Sequence, residues 1–264
     1  MTKQDELINL VKIKGIGKTM SKSLSTDQLK QCSQLLADPT THLATKTTLL
    51  VAFLMLTNTP EEQQWLDTLT LNYNQSLPKE CFFLFDKTYS DSYTKLVECT
   101  HRVISKNNLD ENELKLSCES IFNPNIPTYF KSALLEALRL KEESAQENAY
   151  FCNYFYNKTP HIKINRPILI DLASAYDGFN RYPNILLSLA VLLGSIGFPT
   201  IIHGCKDVSP KFGHTLNKLL SLGGKNPYYS IDEVQHKLED PAVSWAYIDQ
   251  SLSFPEFHDL VECR

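Results

Sequence analysis

Two stretches of this sequence match each other at a fixed offset of 85 residues, and that repeat limits the fold more than any other feature. Leu24-Ser25-Thr26-Asp27-Gln28-Leu29 lies over Leu109-Asp110-Glu111-Asn112-Glu113-Leu114. In the same register Asp38-Pro39 lies over Asn123-Pro124, Leu49-Leu50 over Leu134-Leu135, Ala52 over Ala137 and Glu62 over Glu147. The match continues to Phe82-Phe83-Leu84-Phe85-Asp86 over Pro167-Ile168-Leu169-Ile170-Asp171. One register held without gaps for that length reads as a tandem duplication.

Each copy reads as helices. Ser25 and Asp110 suit N-caps, ahead of stretches with apolar residues at helical spacing: Leu29, Leu35 and Leu36 in one, Leu114, Cys118 and Ile121 in the other. Asp38-Pro39 and Asn123-Pro124 end those helices, because the residue before a proline leaves the α region. Longer helices follow at Thr45–Leu56 and Tyr129–Lys141. Thr59 and Ser144 then open a further helix each, with Glu62 and Glu147 three residues on in a capping-box pattern. Trp65 and Tyr150 match across the repeat and read most simply as core.

After the second copy the period changes. Ile168-Leu169-Ile170-Asp171 reads as a short strand, Leu172 to Pro183 as a loop, and Asn184 to Ile196 as an apolar helix stopped by Gly197. Pro199 to His203 reads as a second buried strand, and Lys211 to Leu222 as a helix closed by Gly223-Gly224. Strand, helix and strand in so short a span form a parallel βαβ unit, whose ligands bind where strands end at their carboxyl edge. Here that edge is built by Ala173 to Arg181 and Gly204 to Ser209. The run Phe82 to Phe85 reads either as an extra strand or as packing on the bundle. The expected organisation is therefore α/β: helical bundles over 1–89 and 90–165, then a partial α/β domain over 166–264.

Composition narrows the class. With 264 residues, 42% of them hydrophobic and 21% charged, the chain can bury a core. The apolar run Ile185 to Ile196 is too short to span a bilayer, and the first residues lack a signal peptide's apolar segment, so no membrane association and a cytoplasmic location are expected. Seven cysteines without a Cys-x-x-Cys pair suit neither a disulfide framework nor a zinc knuckle. No catalytic Ser/His/Asp order, P-loop or metal-ligand spacing occurs.

The two loops, with the helical pattern before them, resemble the anthranilate phosphoribosyltransferases. That family begins with such a bundle and carries a strand, a GTGGDG loop, an Asn-x-Ser-Thr helix start and a strand ending in Lys-His-Gly-Asn. Here Ala173-Ser174-Ala175-Tyr176-Asp177-Gly178 occupies the glycine-rich position, Asn184-Ile185-Leu186-Leu187 the helix start, and Ile202-His203-Gly204-Cys205 the strand end. The resemblance implies a truncated phosphoribosyltransferase-like domain after a duplicated bundle. It also implies a ligand site at Ser174, Tyr176, Asp177, Gly178, Asn180, Arg181, Asn184, His203, Gly204 and Lys206, with Arg264 where the family holds the anthranilate carboxylate.

The departures argue against the family's reaction. Ala173, Ala175 and Tyr176 put side chains where glycine amides would close on a pyrophosphate. Leu186 and Leu187 replace the hydroxyls, Ile202 replaces the lysine, and the chain ends before the magnesium carboxylates. No catalytic residue, metal or cofactor is therefore expected; phosphoribosyl pyrophosphate and magnesium belong only to the alternative of an active phosphoribosyl transferase. The wording Ser-Ala-Tyr-Asp-Gly-Phe-Asn-Arg and Gly-Phe-Pro-Thr-Ile-Ile-His-Gly is closest to a divergent bacterial branch. That resemblance implies DNA or RNA binding and a homodimer through the bundle. Lys12, Lys14, Lys18 and Lys22, interrupted by Gly15 and Gly17, form either a flexible basic loop that meets phosphates or a solvated helix end. His203 is either a structural histidine or part of the cleft; Arg181 and Lys206 either grip phosphate or are solvated; Asp177 either touches ligand or caps its own turn. A helical interaction module with no ligand is the third reading.

Overall fold

The computed structural model describes residues 2–88, 92–173, 178–208 and 212–263. The chain divides into two compact units. One runs to Tyr154 and includes Cys263; the other runs from Phe155 to Glu262.

The first unit is helical. Its helices are α1 (Lys3–Lys14), α2 (Thr26–Ala37), α3 (Leu43–Met55), α4 (Pro60–Leu71), the single turn α5 (Tyr73–Ser76), α6 (Thr94–Ile104), α7 (Glu111–Ile121), α8 (Thr128–Lys141) and α9 (Ala145–Lys158). The last turn of α9 lies in the second unit. Helices α2, α3 and α4 begin at residues 26, 43 and 60, and α7, α8 and α9 at 111, 128 and 145, a constant spacing of 85. Local chemistry sets these starts. Ser25 with Gln28, Thr59 with Glu62, Asp110 with Glu113 and Ser144 with Glu147 each exchange side chain and backbone across the first turn.

The same offset relates two buried glutamates, both 0% exposed. Glu62 accepts the Leu24 N–H at 2.9 Å, the Thr59 N–H at 2.9 Å and the Lys14 ammonium at 2.9 Å. Glu147 accepts the Leu109 N–H at 2.9 Å, the Ser144 N–H at 2.7 Å and the Lys141 ammonium at 2.6 Å. A charge this deep is tolerable only when paired and fully hydrogen-bonded. Among the described residues, helix α3 packs more extensively on α8 than any other pair of elements does. The matched leucines Leu49 and Leu134 are both fully buried, and Thr47 Oγ1 donates to the Tyr129 carbonyl at 3.1 Å. Trp65 is half-buried: its ring meets Phe53 at a tilt, with centroids 4.6 Å apart, and it donates to Ser33 Oγ at 2.8 Å.

The structure decides two open alternatives, at 82–85 and at the basic segment, and corrects one expectation. Phe82 to Leu84 lies in a 3-10 turn, Lys79–Leu84, and takes no part in the sheet. Lys12 and Lys14 belong to α1, not to a loop. The helix expected from Lys211 starts at Leu216 (α11, Leu216–Leu222) among the described residues.

The second unit holds a parallel sheet in the order β1 (Ile170–Leu172), β2 (Thr200–Gly204), β3 (Trp245–Asp249). Helix α10 (Leu186–Ser195) connects β1 to β2; α11 and α12 (Ile231–Glu239) connect β2 to β3. Strands β1 and β2 were legible in the sequence; β3 and α12 were not. Alternation along the strands serves two faces. Ile202 and Tyr247 pack with Ala190 of α10 and Leu216 and Leu220 of α11. Ile201, Ala246 and Ile248 pack with Val234 and Leu238 of α12. Short turns α13 (Gln250–Ser253) and α14 (Pro255–His258) follow β3. No helix among the described residues is long and apolar enough to cross a membrane.

Candidate ligand site at the carboxyl edge of the sheet

The loops after β1 and β2 are joined backbone to backbone. Phe179 and His214 pair as an antiparallel bridge, with N···O distances of 3.3 and 3.0 Å. Two glycines permit this approach. A Cβ on Gly178, whose φ is +77°, would stand 2.6 Å from the Gly213 carbonyl carbon, and one on Gly213 would stand 2.7 Å from Asn180 Oδ1. Asn184 strengthens the join: its Oδ1 accepts the Leu186 N–H at 3.2 Å at the start of α10, and its Nδ2 reaches the His214 carbonyl at 3.5 Å. Gly178, Asn180 and Asn184, expected at the site, are thus brought together as parts of the loop clasp.

His203, at the end of β2, sets Nε2 3.2 Å from Asp171 Oδ1 of β1, and both side chains are open to solvent. Arg181 and Lys206 are exposed. Gly204 lies under Tyr247, where a Cβ would come within 3.1 Å of the phenol oxygen. Ser174, Tyr176, Asp177 and Arg264, also expected here, lie outside the described residues.

Behind this edge is a polar network that sequence reasoning missed. Asp249, 1% exposed, accepts from the Tyr247 hydroxyl at 2.9 Å, Asn217 Nδ2 at 2.8 Å, and the Ser251 N–H and hydroxyl at 3.1 and 2.7 Å. Burial, with the Asp249 carboxylate beside it, pushes the Tyr247 phenol well above the ordinary tyrosine range. Lys218 reaches Asp207 at 2.6 Å and the Phe212 and Gly213 carbonyls at 3.2 Å each, closing the loop after β2. No local pattern in the sequence signalled this network.

At three positions where the resemblance implies phosphate donors, apolar side chains stand instead. Ile202 is fully buried, and Leu186 and Leu187 pack against the same core cluster. Among the described residues no three His, Cys, Asp or Glu side chains are grouped to hold a metal.

The basic segment is smaller than its lysine count suggests. Lys14 is 1% exposed and committed to Glu62, so it is corrected out of the surface patch. Lys18 pairs with Glu142 at 3.0 Å on the surface. Lys12 and Lys22 are exposed.

No protein-family model matches the chain. It is similar to the bifunctional protein TrpGD of Thermotoga maritima, with 25% identity over 61% of this chain and 27% of that protein. It is similar to the anthranilate phosphoribosyltransferase of Saccharolobus solfataricus, with 33% identity over 44% of this chain and 33% of the enzyme. It is also similar to the uncharacterized protein YbiB of Escherichia coli, with 28% identity over 46% of this chain and 37% of that protein. The matched region spans well under half the length of each relative.

Proposed function

We propose that this chain, a distant relative of the anthranilate phosphoribosyltransferases, binds nucleic acid through exposed cationic side chains and does not carry out that enzyme's transfer. The observation that carries the reading is the fate of Leu186, Leu187 and Ile202: Ile202 is buried in the core and half-buried Leu186 and Leu187 pack against it, at positions where a pyrophosphate and its metal would need donors. Preorganised donors at the leaving group provide the largest share of such catalysis. The side chains present do not fit that group. What remains open to solvent at the carboxyl edge is cationic or titratable: Arg181, Lys206 and the Asp171–His203 pair, with Lys12 and Lys22 on the helical unit.

The constant helix spacing and the matched Glu62 and Glu147 sites support a tandem duplication as the origin of the helical unit. The homodimer expected through the bundle belongs to the same reading, and light scattering of the chain in solution tests it. An active phosphoribosyl transferase is the alternative, favoured by His203, Gly204, Gly178 and Asn184 all standing at or beside the carboxyl edge.

The test is retention on single-stranded DNA and RNA columns across a salt series, beside melting curves with phosphoribosyl pyrophosphate and magnesium. Retention that weakens steeply with salt, and weakens further in Lys12→Ala/Lys22→Ala and Arg181→Ala/Lys206→Ala, supports the reading. Absence of salt-sensitive retention overturns it, and a melting temperature raised by the sugar with magnesium favours the alternative.

A further inference from the structure

The two loops clasped at the carboxyl edge each present a bare aromatic ring. Tyr182, 75% exposed, is the most exposed of the described Phe, Tyr and Trp residues, and Phe212, on the other loop, is 59% exposed. Among the described residues neither ring meets another ring or a cation. The clasp brings their backbones together. Outward from the antiparallel Phe179–His214 bridge, Asn180 meets Gly213, where a Cβ would stand 2.7 Å from Asn180 Oδ1. Carried one residue further, that register sets Arg181 opposite Phe212, and Tyr182 follows Arg181 directly.

Phe212 is held outward at a cost. Its φ is +48°, a left-handed conformation that a bulky residue adopts rarely. Such backbone persists only where its surroundings fix it. Here the Lys218 ammonium donates to the Phe212 and Gly213 carbonyls at 3.2 Å each, and the Phe212 N–H donates to the Val208 carbonyl at 3.1 Å. Charge completes the surface. Lys218 neutralises Asp207 at 2.6 Å and Asp171 faces His203 at 3.2 Å. Arg181 and Lys206 are left exposed, with no carboxylate paired to them among the described residues. Free cations beside bare rings match a ligand that repeats a phosphate and a flat apolar face, which is a nucleotide chain. In a duplex those flat faces lie against each other; in a single strand they are open.

We infer that Tyr182 and Phe212 form a stacking platform for unpaired bases, so that the carboxyl edge takes single-stranded nucleic acid in preference to duplex. The inference rests on the nucleic-acid reading above and adds base contact to phosphate contact. Fluorescence anisotropy on the full chain tests it, with a labelled oligothymidylate and a duplex of equal length. The single strand binds about tenfold more tightly or better. Tyr182→Ala and Phe212→Ala each weaken it about tenfold, and leave duplex affinity, salt dependence and melting temperature unchanged. Arg181→Ala instead flattens the salt dependence for both forms. Tyr182→Phe binds as the wild type does, because stacking uses the ring and not the hydroxyl. Tyr156→Ala, whose ring already lies against His161 at 4.2 Å, also leaves binding unchanged. A 2-aminopurine base in the strand is quenched by the wild type and not by Tyr182→Ala/Phe212→Ala, which reads ring contact separately from affinity. Equal affinity for strand and duplex, alanine variants that bind like the wild type, or unquenched 2-aminopurine overturns the inference and leaves the phosphate-binding reading in place. Binding of neither form overturns both.

Discussion

The helical and α/β units solve one problem in different ways. In the helical unit the most apolar helix of one half, α3, is covered by its counterpart α8 in the same chain, and Leu49 and Leu134 are fully buried. In the α/β unit α10 has no such counterpart, and its outer stripe stays open. Two helices at matched positions cover each other, whereas α10 has no such match. The helical unit shows a second contrast inside itself. Its two buried glutamates keep the same amide partners at equivalent positions, but the neutralising lysine comes from α1 in one half and from α8 in the other. The carboxylate's position is fixed by the chain around it, whereas the cation need only arrive.

That comparison can be broken most sharply at the glutamates. Glu62→Gln and Glu147→Gln each strand a buried lysine, and each is expected to cost about 3–5 kcal/mol in urea unfolding. If only one of them costs this much, the two sites are not energetic equivalents. Next in size is the seam: Leu49→Ala and Leu134→Ala should each cost about 3 kcal/mol, while Leu192→Ala should change stability by about 0.5 kcal/mol or less.

Acid should affect the helical unit in two stages. Burial holds the His101 ring below the ordinary histidine range, although the Phe83 carbonyl at 2.7 Å favours its charged form. A depressed histidine stabilises the fold fully above its unfolded pKa of about 6.5, and that contribution is lost as pH falls below it. Glu147 responds further down. Burial raises its carboxyl, but Lys141 and the Leu109 and Ser144 amides outweigh burial and hold it below the ordinary glutamate value. Its contribution is present above about pH 4.3 and is lost as pH falls beneath that value. Melting temperature against pH, with His101→Phe removing the first stage, reads both effects.

The sequence made the helical half legible because caps and helix starts are local. Ser25, Thr59, Asp110 and Ser144 occupy the N-cap positions their spacing to Gln28, Glu62, Glu113 and Glu147 implies. The role of Lys14 was hidden, since a lysine among lysines reads as surface until α1 carries it to Glu62. Strand β3 was missed although it is as long as β2 and longer than β1. At the candidate site, Gly178 was expected as a ligand residue, but its partner Gly213 lies on another loop and no local pattern joins them. The core-facing Leu186, Leu187 and Ile202 were legible as lost donors, while the Asp249 network behind them depends on strand order.

Amide hydrogen exchange tests the contrast between the units most directly. If α3 and α8 are closed by each other and α10 lies open along its outer side, the first two exchange equally slowly and α10 exchanges faster than either. Equal protection of α10 and α3, or faster exchange of α3 than of α10, would contradict the account.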